Sequence, residues 1–302
     1  MTASAPRRTM RSIWRCRKCY AYLLPTFLFL LVFNYTPAVQ AIRMALYDWN
    51  LGLKPTFVGS ANFVELWHDP VMWKSFQNLL RLATFLVAVS LVMPLLAAEL
   101  IFYLRTDRIS HYCRVCFVIP MIVNVVVVWR IWRHLYTDIG PVSAFLDFIG
   151  RGDLVHGWLS DPATALWAVM FVGFPFVNGF FLLILYAGLV NISESVLESA
   201  RLDGARGLRT LFSVHLPLIR PQIKIVAVLA TIGAIQGFEQ VYILTRNGGP
   251  GFETMLPGLY MYFNAFDFNR MGYACAIGVV LFAILIALTL LYTRTLRSEV
   301  GE

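Results

Sequence analysis

Cysteine is the residue type in this sequence with the most recognisable chemical spacing. Cys16 and Cys19 enclose two residues, as do Cys113 and Cys116, while Cys275 stands alone. Four thiolates could hold zinc in a tetrahedral site. However, the two pairs lie almost a hundred residues apart, whereas ribbon-type zinc sites keep their halves within about 15–20 residues. We therefore expect these cysteines to bind no metal.

Other groups that could perform chemistry are sparse. The sequence has four lysines, and none follows a glycine, so it contains no GxxxxGK[ST] phosphate loop. Its five histidines are scattered, and they form no Ser/His/Asp pattern. We therefore predict that the chain is not an enzyme, binds no cofactor and does not hold ATP through that loop.

The composition is typical of a membrane protein. Of 302 residues, 59% are hydrophobic and 14% charged, against about 45–50% and 25% in soluble domains. The net charge of +8 could suit a nucleic-acid binder, but the charges lie mostly between apolar runs, which favours membrane topology over phosphate contacts. The runs are continuous rather than alternating, which argues against a β-barrel.

Six apolar runs predict an all-α membrane protein with six transmembrane helices, since about 20 apolar residues span the hydrocarbon layer. The predicted spans are roughly 20–42, 76–104, 113–133, 162–190, 222–244 and 273–292. They form one domain, residues 20–295, between a basic amino-terminal tail, 1–19, and a carboxy-terminal tail, 296–302.

The basic residues predict the orientation. With the amino terminus inside, fifteen Lys and Arg residues fall in inner segments and six in outer ones, so both termini should be cytoplasmic. Arg130 and Arg133, each beside a tryptophan, then resemble an anchor at the outer interface. The alternative, a secretory signal peptide over 7–41, is disfavoured because that stretch is long and contains Pro25 and Pro37.

The longest inner loop, residues 188–221, carries helix signals. Ser195 and Glu198 have capping-box spacing, which predicts a short helix from there to about Asp203. Gly204 is a natural stop for it. A second short helix is expected over 206–215, with Pro217 preventing its continuation.

The loop contains Glu198-Ser199-Ala200, then Gly204 four residues later, nine further residues and Val214-His215-Leu216-Pro217. This pattern resembles the coupling loop of the permease subunits of ATP-binding-cassette importers, which has EAA, a glycine four residues later, nine residues and then I-x-LP. Asp203-Gly204-Ala205 also resembles the DGA of that family's carbohydrate branch. The resemblance implies a type I importer permease fold with cytoplasmic coupling helices. It assigns ATPase coupling to Glu198, Ser199, Ala200, Asp203, Gly204, Ala205, Leu216 and Pro217.

A second stretch is similar to sugar permeases of the maltose/glycerol-phosphate type. It comprises Phe238-Glu239-Gln240-Val241-Tyr242, Leu244-Thr245, Gly248-Gly249-Pro250 and Thr254. Together with the outer segments at 47–49 and 59–63, the resemblance covers roughly residues 20–295. It implies a prokaryotic inner-membrane permease that imports a sugar or sugar-like solute by alternating access. The implied partners are a second permease, two ATP-binding subunits that hold ATP and Mg²⁺, and an extracytoplasmic solute-binding protein.

Polar groups within the apolar runs are candidates for lining a solute cavity, because they are costly at membrane depth. In the predicted fifth span, Gln236, Glu239 and Gln240 have the spacing of one helix face. Phe238 and Tyr242 add aromatic surface on which sugar rings could stack. Further candidates are Asn178 and Asn124. Alternatively, these side chains form hydrogen bonds between helices.

Glu99 is interpreted as structural, either snorkelling or paired with Arg105 or Arg108. Two alternatives to the interpretation above remain open. The inner loop could rest on the bilayer as a basic amphipathic helix. The chain could also be a secondary transporter driven by an ion gradient, although no convincing internal repeat is visible.

Overall fold

Helices form nearly all of the regular structure. The computed structural model describes residues 17–50, 52–104, 106–173, 177–246 and 248–295, with side chains between 22 and 292. Within them, strands β1 (Tyr47–Asp48) and β2 (Thr56–Phe57) form one antiparallel pair. The α-helices are α1 Arg17–Leu30, α2 Thr36–Met44, α3 Ala61–His68, α4 Pro70–Phe102, α5 Asp107–Val118, α6 Val125–Leu135, α7 Pro141–Phe148, α8 Ala165–Met170, α9 Gly179–Val190, α10 Glu194–Leu202, α11 Leu208–Thr210, α12 Leu216–Leu218, α13 Arg220–Gln236, α14 Glu239–Thr245, α15 Pro257–Phe266 and α16 Met271–Thr295. This confirms the all-α class.

Three helical stretches are long and apolar enough to cross a membrane by themselves: Tyr22–Met44, Pro70–Phe102 and Met271–Tyr292. Three further pairs of helices pass the same test together but are bent at a short break, so the described residues supply up to six spans. The first bend, of 86°, lies between Asp107–Ile122, which is α5 with the 3₁₀ turn that follows it, and α6. The second, of 72°, lies between α9 and α10, and the third, of 76°, lies between Leu208–Leu218 and α13. The orientation of the termini stays a prediction.

The third, fourth and fifth predicted spans are not continuous helices, which corrects the sequence interpretation. After α5, a 3₁₀ turn over Ile119–Ile122 contains Pro120, and Val123 is extended at ψ 130° before α6 begins. In the fourth span, α8 ends at Met170 and α9 begins only at Gly179. In the fifth, Gly237 leaves the helical region at ψ 91° and separates α13 from α14. Proline and glycine at these points favour a break over a straight helix.

Two π-helical segments precede prolines. Leu31–Tyr35 ends two residues before Pro37, and Leu211–His215 ends two residues before Pro217. Proline lacks an N–H and its ring crowds the carbonyl four residues earlier, so a wider turn accommodates it. The helix therefore continues through Pro217 to Leu218, and the expectation that Pro217 stops the second loop helix is wrong.

The long helix α4 organises the packing. Near one end, its Ala98 packs in an apolar cluster with α9 and α13, represented by Leu185 and Val226. Near the other end, its Met72 and Leu82 belong to a cluster that includes residues of α15 and α16. The first helix, by contrast, exposes most of its large apolar side chains, as expected for a surface that faces lipid rather than water.

Candidate functional site

The first short helix predicted in the 188–221 loop is present, but it starts earlier than the sequence indicates. Helix α10 spans Glu194–Leu202, and Ser193 occupies its N-cap with φ −65° and ψ 141°. No cap hydrogen bond forms, and the Ser193 hydroxyl lies 3.2 Å from that of Ser195. Because Ser195 is already inside the first turn, it cannot form the expected capping box with Glu198. The helix is otherwise where the motif places it.

The carboxy-terminal end of α10 is a tight left-handed turn. Gly204 has φ +76°. The Ala205 N–H donates to the carbonyl of Ala200 at 2.9 Å, and the Gly204 N–H donates to that of Arg201 at 3.1 Å. These two bonds form a Schellman motif, which satisfies the last carbonyls of the helix. An added Cβ at Gly204 would meet no atom within 4 Å, so the backbone conformation, not internal packing, requires glycine here.

The loop presents large apolar side chains outward. Leu202 is 89% exposed, Leu208 73% and Phe212 63%. Their neighbours Leu197 and Leu211 are half-buried against the rest of the chain. The protrusion formed by α10, α11, the second π segment and α12 therefore carries apolar surface that this chain alone leaves uncovered.

A buried contact between a histidine and a glutamate attaches this protrusion to α4. The Nδ1 atom of His215 lies 3.0 Å from each carboxylate oxygen of Glu99. Both residues are buried, and the rings of Phe102 and Tyr103 pack beside the imidazole. The expected pairing of Glu99 with Arg105 or Arg108 is thus corrected: Glu99 pairs with His215, and Arg105 lies outside the described residues.

The predicted solute residues around the fifth span do not share one helix face. Gln236 is the last residue of α13, and Glu239 begins α14 beyond the break at Gly237. Both side chains are exposed. The Gln240 amide is committed to a contact between elements, because its Nε2 donates to the Val169 carbonyl at 2.9 Å.

Aromatic residues of this region do come together. The ring centroids of Phe238 and Tyr242 lie 5.9 and 5.6 Å from that of Tyr262. Tyr242 is 42% exposed. Phe238 and Tyr262 also line an apolar cavity of about 520 Å³ bordered by α2, α15 and α16. The sequence interpretation missed Tyr262, which no local motif marks.

The two predicted asparagines act as helix caps. Asn124 Oδ1 accepts from the Val126 N–H at 2.9 Å, at the start of α6. Asn178 Oδ1 accepts from the Phe180 N–H at 3.0 Å, at the start of α9. Both side chains are exposed. An asparagine directly before an apolar run is a helix-start signal, and it would have located both breaks in the sequence.

The Gly248-Gly249 turn depends on glycine at both positions. Their φ angles are +84° and +75°, and a Cβ would come within 2.6 Å of a side-chain atom of Met255 or Thr254, respectively. The Asn78 amide of α4 donates to the Met255 carbonyl at 3.1 Å, and this bond fixes the turn against the bundle. The GGP and Thr254 positions of the motif therefore build one structural unit.

No cluster of three or more metal-ligating side chains occurs within the described parts of the chain. Cys113, Cys116 and Cys275 are free thiols. Cys16 lies outside the described residues, as does the side chain of Cys19.

Comparison with known proteins places this chain among transport components. A family model described as the binding-protein-dependent transport system inner membrane component matches residues 81–298. The diacetylchitobiose uptake system permease protein NgcF of Streptomyces coelicolor is 30% identical over 98% of this chain and 88% of the relative. The lactose transport system permease protein LacF of Rhizobium radiobacter is 27% identical over 93% of this chain and 94% of the relative.

Solved structures share the fold. A chain of a bacterial ABC transporter involved in the import of the acidic polysaccharide alginate superposes with a TM-score of 0.83, at 23% identity over 97% of this chain and all of that chain. A second structure, of an alginate transporter in complex with an alginate pentasaccharide-bound periplasmic protein, superposes with a TM-score of 0.84 at 22% identity, over 98% of this chain and all of that chain. These likenesses establish the importer permease fold.

Proposed function

Because the chain belongs to the family of binding-protein-dependent transport system inner membrane components, we propose that it is one of two permease subunits of an importer for a sugar or sugar-like solute. The names of its relatives support a carbohydrate, since they include uptake systems for diacetylchitobiose and lactose. The solute is delivered by an extracytoplasmic binding protein, which is consistent with the periplasmic protein in the related alginate complex. The location is a prokaryotic inner membrane.

The protrusion at α10–α12 is the coupling element. One observation carries this assignment: Leu202, beside the Gly204 turn, is 89% exposed in the isolated chain, and such a leucine gains most by being covered. Two ATP-binding subunits hold ATP and Mg²⁺, and one of them covers this surface. Closure of these subunits on ATP then moves the protrusion and switches the bundle between inward and outward access. The shift requires that the protrusion make different contacts with the two ATPase states.

The solute path runs past the break between α13 and α14. Phe238 and Tyr242, joined by Tyr262, offer the aromatic faces, while Gln236 and Glu239 are the exposed polar groups beside them. At membrane depth, the unpaired backbone groups of a broken helix are tolerated only where they are buried in protein or line a water-filled cavity. Asn124 and Asn178 border the path as caps of broken spans rather than as primary sugar ligands.

The decisive experiment replaces one exposed leucine on the protrusion, Leu202. Leu202→Asp removes little packing within this chain, because the side chain is 89% exposed, but it places a charge on the proposed docking surface. Ile139→Asp is the matched control, because Ile139 is 92% exposed and lies in a predicted outer loop. Purified complexes in proteoliposomes are assayed for ATP hydrolysis stimulated by the binding protein and for solute uptake.

We expect Leu202→Asp to abolish stimulated hydrolysis and uptake while the control retains both. Equal activity of the two variants contradicts the docking assignment and favours a protrusion that rests on lipid. Uptake that survives removal of the ATPase subunits but collapses with an ionophore contradicts the importer mechanism and favours an ion-gradient transporter.

A further inference from the structure

A polar cavity separate from the aromatic group lies where the ends of α6 and α14 meet the loop after α7. Its volume is about 560 Å³, within the roughly 300–1,000 Å³ typical of small-molecule sites. The polar side chains that line it are Arg133, Thr137, Asp138, Ser160, Thr245 and Arg246. In the predicted topology this cavity opens on the outer side, at the entrance to the bundle.

The cavity has an excess of positive charge. Arg133 and Arg246 contribute two guanidinium groups, and Asp138 contributes one carboxylate. Within the described parts of the chain, neither arginine forms an ion pair with a carboxylate at 4.0 Å or less. Arg133 is held in place by a long bond from its Nη1 to the Ile243 carbonyl, at 3.4 Å. Two unpaired arginines at one cavity favour an anionic group, because guanidinium matches carboxylate and sulfate oxygens with paired donors.

The backbone at Arg246 is strained in a way that glycine would relieve. Arg246 has φ 51° and ψ −131°, a region that residues with a Cβ occupy at a cost of roughly 1–3 kcal/mol. Arg246 directly follows α14, at the point where the chain turns towards Gly248.

We propose that this cavity binds a hydroxylated solute that carries a carboxylate or sulfate group, and that it selects such solutes at the entrance of the importer. The two arginines bind the anionic group, while Thr137, Ser160 and Thr245 face its hydroxyls. The inference rests on the proposed function, since it names the solute class of the same transporter. The competing source of the same chemistry is the headgroup of an anionic lipid such as phosphatidylglycerol.

The test uses the complete importer complex in nanodiscs of zwitterionic lipid, without the binding protein. Binding of a hexuronate disaccharide and of its neutral hexose counterpart is measured by calorimetry. We expect the uronate to bind at least tenfold more tightly. Arg246→Gln and Arg133→Gln should each weaken uronate binding by about tenfold or more, the loss expected for a hydrogen bond to a charged group. Arg130→Gln is the matched control, because Arg130 lies exposed on the same helix outside the cavity.

Arg246→Gly separates binding from folding. It removes the guanidinium and also relieves the positive φ, so the complex should unfold at the same or a higher temperature and yet lose uronate binding. If Arg246→Gly or Arg246→Gln binds uronate as tightly as the parent, or if uronate and neutral sugar bind equally, the inference is overturned.

Two further outcomes are distinguishable. If the parent complex binds phosphatidylglycerol at this cavity tightly enough to abolish uronate binding, and Arg133→Gln and Arg246→Gln lose the lipid, the site belongs to a lipid headgroup and the solute assignment is overturned. Binding-protein-stimulated ATP hydrolysis is measured in the same parent complex. If it persists while uronate selectivity is absent, the importer function stands and this inference alone fails.

Discussion

The contact between Glu99 and His215 should transmit movement as well as stabilise the fold. It joins the carboxy-terminal end of α4 to the segment that carries the protrusion, across 116 residues of sequence, with Nδ1 3.0 Å from both carboxylate oxygens. Buried groups with this geometry are costly to separate, because each partner left alone stays desolvated. The perturbation we consider is Glu99→Leu, His215→Phe and their combination.

Removing one partner of a buried pair of ionisable side chains costs about 3–5 kcal/mol, because the other side chain is left desolvated without its partner. Glu99→Leu should lie at the upper end, because the His215 Nε2 already has no hydrogen-bond partner among the described residues and Nδ1 would then lose its own. The combined variant leaves neither group alone, so its cost should be smaller than that of either single change. At about 2–4 °C per kcal/mol, each single variant should melt about 6 °C or more below the parent.

Thermal unfolding of the purified complex, followed by tryptophan fluorescence, measures these shifts, and the number of solute molecules imported per ATP measures transmission. We expect the combined variant to regain most of the stability but to hydrolyse ATP with little uptake, because the protrusion is no longer held to α4. Additive losses in the combined variant would refute the pairing. A stable combined variant with the parent's ratio of uptake to hydrolysis would show that the contact only stabilises the fold.

Three further changes test other parts of the structure. Gly204→Ala should destabilise the complex by about 1–2 kcal/mol through its φ of +76° alone, and Gly204→Asn by less; equal melting temperatures of parent and both variants would argue against the left-handed turn. Burial, reinforced by the hydrogen bond to Asp69, raises the pKa of Tyr260 to about 12. Because the folded state favours the neutral phenol, the free energy of unfolding should fall as pH rises from about 10 through 12. Tyr260→Phe should remove that part of the fall in alkaline unfolding experiments. Tyr242→Leu should raise the KM for uptake several-fold without changing the basal ATPase rate, since it removes an exposed aromatic face; an unchanged KM would remove Tyr242 from the solute path.

Helix α10 is predictable from the sequence because its signals are local. The glycine at 204 marks the helix end, and the two hydrogen bonds that close the turn involve residues within five positions of each other. The error at its start is equally local: Ser193 and Ser195 are both acceptable caps, and the spacing to Glu198 favoured the wrong one. Local competition of this kind shifts a boundary by a few residues without removing the element.

The partner of Glu99 was not predictable from the sequence. The nearby arginines are close in sequence, whereas His215 is 116 residues away and becomes a neighbour only when α4 packs against the loop. The same holds for the cavity shared by Arg133 and Arg246, which lie at the ends of two different helices. Contacts between elements depend on packing, and neither residue spacing nor hydropathy encodes them.

The breaks in the predicted spans are only partly predictable from the sequence. A hydropathy window adds up apolar residues and gives the same result for a straight helix and for two bent ones. The sequence pattern therefore suggests Asn124 and Asn178 as solute ligands, although each satisfies backbone N–H groups of a new helix. In a low-dielectric surrounding, a helix can begin only where such donors are satisfied. A polar cap inside an apolar run is thus explained first by the helix break that it stabilises, and assigning it a solute contact requires a second observation. Tyr242 has such an observation, because its exposed ring lies beside Tyr262. Neither asparagine has one.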